Sequence, residues 1–238
     1  MTYRKYSQAE LRWYKAGYLT ISRRIEKEIQ KTYNEDGQIR HIYAEEKKSF
    51  LKLKWRLGYN QYKSGYFKEA ISTLTIVTDA LQSQPTAASR SMKKKSDQDI
   101  TDPAHVHQVI GQAGMYIFLS TGEHSHLETS YKHYQFAVDY IQANLVAMFK
   151  LPALLLDYAR VLEYYGSFET SMSVYSQILT RFPNFTGYFT ALYRTAVVGR
   201  HLASLCSESQ EKQDTVDKCI DILQFLLEAL PANVNEVR

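Results

Sequence analysis

The chain has 238 residues, of which 45 % are hydrophobic and 23 % are charged, with a net charge of +4. This composition is ordinary for a globular protein, and ten Gly and five Pro are few for an all-β chain with many turns. No apolar run is long enough for a membrane span, and because residues 1–30 are charged throughout we expect no signal peptide. Two cysteines, Cys206 and Cys219, argue against a disulfide framework and predict a reducing, cytoplasmic setting, with the cilium or nucleus as other compartments of that kind.

Helices are predicted along most of the first half. A long helix is expected at 7–33, a second at 38–64 and a third at 66–82, with a turn at Gly65 between the last two. Residues 82–103 are polar, contain Lys93, Lys94 and Lys95, and are expected to form a flexible insertion because they have nothing to bury.

The second half continues the same pattern. Helices are predicted at 104–120 and 126–148, in a pair within 155–183 whose first helix is opened by Pro152, and at 186–204 and 214–230, with a polar loop at 206–213. The total is about nine helices and no convincing strand. Gly111 and Gly114 fall inside a helical pattern, where small residues favour close packing with the next helix over a phosphate loop.

The last predicted helix is apolar nearly all round, so we expect it to be buried on more than one side, by a continuation of the chain or by another subunit. Its apolar residues are Ile220, Ile222, Leu223, Phe225, Leu226, Leu227 and Leu230. Cys219, in the same helix, is expected to be an inert packing residue.

One segment, 155–183, contains two short amphipathic patterns around a glycine, closed by a proline. A single helical hairpin of this size cannot bury its apolar face without stacked neighbours. The residues that form the pattern are Leu155, Tyr158, Ala159, Leu162, Gly166, Ser171, Tyr175, Ile178 and Pro183.

This pattern resembles the tetratricopeptide repeat (TPR). A second match lies at 54–81, carried by Leu57, Gly58, Gly65 and Ala70, and weaker matches lie at 130–137 and 219–231. The resemblance implies an all-α fold, a right-handed superhelical stack of helix-turn-helix repeats with long N-terminal helices. We divide the chain into a basic N-terminal helical pair (1–53), a repeat (54–81), the insertion (82–103), a degenerate repeat (104–150), a repeat (151–183) and a C-terminal degenerate repeat (184–238).

The resemblance also implies a non-catalytic scaffold that holds a peptide or helix of a partner protein in a groove lined by the first helix of each repeat. Tyrosine and arginine dominate interaction hot spots, so the candidate partner-binding residues are Arg160, Tyr164, Tyr193 and Arg194. TPR domains that clamp a C-terminal carboxylate need Lys and Asn where this chain has Trp55 and Tyr59, which argues against that clamp. Degenerate repeats with long N-terminal helices are similar to subunits of large assemblies, ciliary and axonemal ones among them.

Charge is concentrated at the front of the chain. Residues 1–58 contain 14 Lys/Arg and 7 Asp/Glu, a net charge of +7. Residues 59–238 contain 15 Lys/Arg and 18 Asp/Glu, a net charge of −3. We therefore expect a basic docking surface for an acidic partner, formed by Arg23, Arg24, Lys27, Lys47 and Lys48. RNA binding through the same helices is the alternative function, and it predicts affinity that falls steeply with salt.

Enzymatic and metal chemistry have no clear candidate. None of the common catalytic or phosphate-binding motifs is present, and Asp157 and Glu163 are expected on solvated helix faces or meeting across helices. We expect neither an enzyme, a cofactor nor a metal site. The histidines, expected to face solvent at helix ends and too far apart to share a metal, are His105, His107, His124, His126 and His133.

Overall fold

The computed structural model describes residues 17, 20–27, 44–82, 102–205 and 209–229, and all regular structure in these ranges is helical. Residues 20–27 are helical, and eight longer helices follow with one 3-10 turn at Met148–Lys150. They are α1 (Ala44–Lys63), α2 (Phe67–Gln82), α3 (Pro103–Thr121), α4 (His124–Asn144), α5 (Leu151–Tyr165), α6 (Phe168–Arg181), α7 (Tyr188–Leu205) and α8 (Ser209–Ala229). The all-α prediction is confirmed.

The chain forms two compact units, Met1–Ala143 and Asn144–Arg238. Of the predicted helix 7–33, only residues 17 and 20–27 are among those described. The predicted insertion with Lys93, Lys94 and Lys95 lies outside the described residues, as do Cys206 and Leu230. The repeat boundaries drawn from the sequence stay predictions.

Glycines close the hairpins within each unit. Gly65 between α1 and α2, Gly122 between α3 and α4, and Gly166 between α5 and α6 have φ of 83°, 75° and 82°. Residues with a Cβ rarely adopt this left-handed conformation, so a glycine there ends one helix and lets the chain reverse. The Gly166 N–H donates to the carbonyls of Leu162 and Glu163, which satisfies the end of α5. The turns predicted at Gly65 and Gly166 are confirmed.

In the first unit α2 packs against both α1 and α3. One buried cluster consists of Leu74, Val77, Val106, Val109 and Ile110, and each such side chain contributes about 1.5–3 kcal/mol when it is removed from water. Helix α1 approaches closely because Gly58 has no side chain: a Cβ there would lie 2.6 Å from Cγ of Leu74.

Helices α3 and α4 are in contact at the two glycines of α3. A Cβ on Gly111 would lie 2.8 Å from the Tyr134 ring, and a Cβ on Gly114 would lie 2.9 Å from the carbonyl oxygen of His126. The Ser130 hydroxyl donates to the Gly111 carbonyl at 2.7 Å. These contacts confirm that Gly111 and Gly114 serve helix packing.

In the second unit α6 packs between α5 and α7, and α7 packs on α8. The buried Ser171 donates to the Ala159 carbonyl at 2.9 Å, which ties α6 to α5, and Tyr175 and Ile178 are fully buried beside it. Cys219 of α8 is buried against α7, where a Cβ on Gly199 would lie 2.7 Å from its Sγ. Burial raises the pKa of the Cys219 thiol, which fits the predicted packing role because the reactive thiolate is disfavoured.

One prediction about the end of the chain is wrong. Helix α8 begins at Ser209, inside the predicted loop 206–213, because the polar residues there are good helix formers. Gln210 and Gln213 donate to Asp214 and Asp217, one turn further on, each at 2.9 Å.

The cover expected for the other sides of α8, a continuation of the chain or another subunit, stays a prediction. Within the second unit α8 packs on α7 along one face only, the face of Cys219. Ile222 and Leu226 are half-buried, whereas the remaining apolar side chains of the predicted set for which exposure is described are exposed, namely Ile220, Leu223, Phe225 and Leu227.

Candidate functional site

Helix α5 presents Arg160 and Tyr164 on its exposed side. Leu155 and Leu162 are buried on the opposite side of the helix, and 3.6 residues per turn place Arg160 and Tyr164 one above the other, away from the core. Arg160 is exposed, and Tyr164 keeps 44 % of its surface accessible. The ring of Tyr164 therefore offers a large amphipathic contact area.

Helix α7 adds Tyr193 and Arg194. Ala191, Leu192, Thr195 and Ala196 turn into the core, which leaves Tyr193 49 % exposed and Arg194 half-buried at the edge. All four candidate residues thus lie on the solvent side or the rim of two neighbouring first helices of hairpins. We call Arg160, Tyr164 and Tyr193 the α5/α7 strip.

A buried ion pair joins the two helices beside this strip. Glu163 of α5, whose side chain is only 8 % exposed, accepts hydrogen bonds from Nε of Arg194 at 3.0 Å and from Nη2 of the same residue. The Tyr175 hydroxyl of α6 donates to the same carboxylate. Burial and the bond to Glu163 raise the pKa of Tyr175 above its ordinary value, and the bond to Glu163 raises that of Arg194.

This arrangement corrects one prediction and refines another. Asp157 and Glu163 lie on the same helix and do not meet across helices, and Glu163 is covered, not solvated, because Arg194 and Tyr175 supply its hydrogen bonds. Arg194 lies at the edge of the α5/α7 strip, and its guanidinium is engaged by Glu163. Its clearest role is to hold α5 and α7 at a fixed spacing, since a buried charge must keep its partner.

The first unit has an aromatic row on α1 and α3 that was not predicted as a group. Trp55, Tyr59 and Tyr62 follow each other along α1 with ring centroids 5.5 and 6.4 Å apart. His105 of α3 meets Trp55 edge-on at 5.1 Å, and the Tyr62 hydroxyl donates to Oε1 of Gln112 at 3.0 Å. The spacing of four and three in α1 is the signal that marks one helix face. These rings are half-buried, so they rigidify the face more than they expose it.

The prediction of solvent-facing histidines is wrong for His107 and His133. His107 is 5 % exposed, its Nδ1 lies 2.9 Å from Nδ1 of His133, and its ring stacks on Phe136 at 3.9 Å. The reason is register: His107 precedes Gly111 and Gly114 by four and seven residues, so it continues the face of α3 that packs on α4.

Two observations bear on metal and membrane binding. In the part of the chain that the structure describes, no group of three or more His, Cys, Asp or Glu side chains is placed to hold a metal ion. None of the described helices is long and apolar enough to cross a membrane.

Of the predicted basic docking surface, Arg23, Arg24 and Lys27 are exposed on the helical residues 20–27. The side chains of Lys47 and Lys48, near the start of α1, lie outside the described set. Their grouping with the other three stays a prediction.

Comparison with solved structures identifies the architecture. The chain superposes on a crystal structure of a Podosopora anserina protein assigned as a kinesin light chain with nearly identical TPR-like repeats, with a TM-score of 0.53 and 14 % identity over 91 % of this chain and 93 % of that one. A glutamine-to-methionine variant of that protein gives 0.54 and 14 %, over 93 % and 94 %. The fold is that of TPR-like repeats.

The likeness is structural alone, because no protein-family profile and no curated protein matches the sequence. The TPR-like resemblance drawn from Gly65 and Gly166 is confirmed over more than nine-tenths of the chain.

Proposed function

We propose that this chain is a non-catalytic scaffold that binds a peptide or helix of a partner protein across the α5/α7 strip. The observation that supports this most is the pairing of two exposed tyrosines with an exposed arginine on adjacent first helices of a TPR-like unit. Such residues supply most of the energy at protein interfaces.

The Glu163–Arg194 pair supports the same proposal through rigidity. It holds Tyr164 and Tyr193 on helices whose spacing is already set before a partner arrives. A preformed surface loses little conformational entropy on binding, so a modest number of contacts suffices.

Catalysis is left out of the proposal for a chemical reason. Two sets of buried titratable groups among the described residues are committed to each other: Glu163 to Arg194 and Tyr175, and His107 to His133. A general base needs an accessible lone pair and a pKa near the operating pH, whereas the Tyr175 hydroxyl is held protonated and inward.

The basic N-terminal residues would dock the scaffold on an acidic surface of a larger assembly, a ciliary or axonemal one being one class. Arg23, Arg24 and Lys27 are exposed on one short helical stretch. A titration with labelled single-stranded RNA at about 50 and 200 mM salt separates protein docking from the RNA alternative, since phosphate contacts weaken steeply over that range. Retention of RNA at the lower salt would favour the alternative.

The strip is tested by affinity purification of the tagged chain from a native extract with quantitative mass spectrometry. The variant Arg160→Ala/Tyr164→Ala removes one cation and one tyrosine from the strip. Its matched control, Tyr66→Ala/Lys68→Ala, removes the same pair from an exposed turn of the first unit.

We expect at least one stoichiometric partner that the wild type and the control recover equally and that the strip variant loses by about tenfold or more, equivalent to about 1.4 kcal/mol. Circular dichroism should show both variants folded. A partner set that is unchanged in the strip variant would refute the assignment of the strip.

A further inference from the structure

An open cleft lies in the second unit, between the 3-10 turn that precedes α5 and the loop that joins α6 to α7. Its volume is about 540 Å³, which is within the size range of sites that bind other molecules. We call it the Phe149 cleft. Most of its lining is apolar and is formed by Phe149, Pro152, Phe182, Pro183 and Phe185.

The loop side of the cleft is held in place by its own backbone. The Phe185 N–H donates to the Phe182 carbonyl at 3.0 Å, and the Tyr188 N–H donates to the Phe185 carbonyl at 2.9 Å. The Phe185 ring lies over Gly187, where an added Cβ would collide with the ring and lie 3.0 Å from Cδ2 of Leu156. Phe182 and Phe185 are half-buried, so their rings form an apolar wall that exists before any partner binds.

The opposite side of the cleft is a strained turn. Leu145 and Ala147 have φ of 51° and 49°, a left-handed conformation that costs free energy in residues with a Cβ. The 3-10 turn Met148–Lys150 follows directly and leaves Phe149 80 % exposed at the rim of the cleft. Strained backbone is concentrated at binding sites, and covering the Phe149 ring with an apolar group would be favourable.

The charged groups at the cleft are cations. Arg181 lines the cleft, is exposed, and has its guanidinium carbon 5.5 Å from the centre of the Phe182 ring. Nζ of Lys150 lies 5.7 Å from the centre of the Phe149 ring. None of the lining residues is acidic, and the chain segments on the two sides of the cleft, 140–156 and 170–205, contain no Asp or Glu. Arg181 pairs with no carboxylate in the described part of the chain, so its N–H groups are available to an anion from another molecule.

These features together indicate the occupant. A concave apolar wall receives a protruding apolar group, and Arg181 at its edge attracts a neighbouring negative charge. Because the cleft is open to solvent, a free small molecule would bury only part of its surface, whereas a peptide can cross the opening and insert one side chain. A lipid bilayer would contact the protruding Phe149 and leave the wall of Phe182 and Phe185 uncovered.

We propose that the Phe149 cleft binds a segment of a partner protein that inserts a large apolar side chain flanked by Asp or Glu. The apolar side chain would pack between Phe149 and the wall of Phe182 and Phe185, and the carboxylates would bind Arg181. No residue of the α5/α7 strip lines this cleft, so the chain would have two protein contacts of different chemistry.

The test measures the binding of fluorescein-labelled synthetic peptides to the full chain by fluorescence anisotropy. The probe is the peptide Gly-Ser-Asp-Asp-Phe-Asp-Asp-Ser-Gly. One control peptide has Ala in place of Phe, and another has Lys in place of every Asp. The protein variants are Phe149→Ala and Arg181→Glu. Their matched controls are Phe225→Ala, at a residue 51 % exposed on α8, and Arg200→Glu, at an exposed residue of α7. Circular dichroism checks that each variant is folded.

We expect the probe to bind the wild type and both matched controls equally, and to bind Phe149→Ala and Arg181→Glu at least about tenfold more weakly. The Ala peptide should bind the wild type more weakly by a similar factor, and the Lys peptide should prefer Arg181→Glu to the wild type. Arg160→Ala/Tyr164→Ala should bind the probe as the wild type does, so this test is independent of the α5/α7 strip. No binding of the probe, or equal binding of the Ala peptide, would overturn the proposal.

Two other results would assign the cleft to a different occupant and overturn the proposal. The first is co-sedimentation of the chain with vesicles of phosphatidylcholine and phosphatidylserine that is lost in Phe149→Ala, without binding of the probe, which would indicate a membrane surface. The second is a dimer of the wild type in analytical ultracentrifugation that Arg181→Glu dissociates, which would indicate a second copy of this chain.

Discussion

The His107–His133 pair predicts that the first unit loses stability in mild acid. Burial and the neighbouring His133 lower the pKa of His107 to about 3. Burial lowers the pKa of His133 to about 4, although the charge of Asp79 raises this pKa by a smaller amount. Both values lie below the 6.5 of an unfolded histidine, so the unfolded chain takes up protons first. Stability is full above about pH 6.5 and falls as the pH drops from there towards 4.

The size of the effect follows from proton linkage. Between pH 7 and pH 5, each histidine that stays neutral in the folded state costs about 2 kcal/mol of unfolding free energy, because its unfolded counterpart becomes protonated. The two histidines together would thus lower the unfolding free energy by about 2–4 kcal/mol between pH 7 and pH 5. The lower value applies if Asp79 keeps His133 partly protonated in the folded state.

The assay is urea unfolding at pH 7 and pH 5, followed by tryptophan fluorescence, because both tryptophans, Trp13 and Trp55, belong to the first unit. The comparison variant is His107→Phe/His133→Leu, which keeps a ring next to Phe136 and removes both titrating groups. The wild type should lose about 2–4 kcal/mol more than the variant over this range. An equal loss in both proteins would refute the reasoning.

Three further predictions concern packing, and urea unfolding checks each of them. Arg194→Met leaves Glu163 buried without its cation and should lower the unfolding free energy by about 2–3 kcal/mol. Adding Glu163→Gln to the same chain removes the unpaired charge and should restore part of that loss. No recovery in the double variant would contradict this. Gly166→Ala should cost about 1 kcal/mol from its φ of 82° alone, since no atom lies near the added Cβ; an unchanged midpoint would be the contrary result. Gly114→Ala should cost about 1–3 kcal/mol because the His126 carbonyl of the backbone blocks the methyl group, and a stability equal to the wild type would show that α4 can move away.

The hairpins were predictable because the signal is local. Gly65 and Gly166 adopt a left-handed φ that few other residues tolerate, and the apolar periods on either side of each glycine are those of helices. Gly111 and Gly114 could likewise be assigned to packing from their spacing alone. These positions require information from only one or two neighbouring elements.

The polar contacts were not predictable in the same way. Glu163 and Arg194 are 31 residues apart in sequence, and they meet only because α5 and α7 are neighbours around α6. His107 carries a readable signal, its register with Gly111 and Gly114, but its burial depends on how deeply α4 packs there. The apolar residues of α8 show the converse case, since hydrophobicity indicates that a face can be buried and does not say which helix covers it.

The most direct test of the scaffold proposal is site-specific photo-crosslinking in native extract. The photoreactive residue p-benzoylphenylalanine replaces Tyr164 or Tyr193 in the α5/α7 strip, or Tyr66 as a control of similar exposure (43 %). The account predicts cross-links from positions 164 and 193 to the same segment of one partner protein, and none of comparable yield from position 66. Cross-links of equal yield at all three positions, or none at 164 and 193, would contradict it.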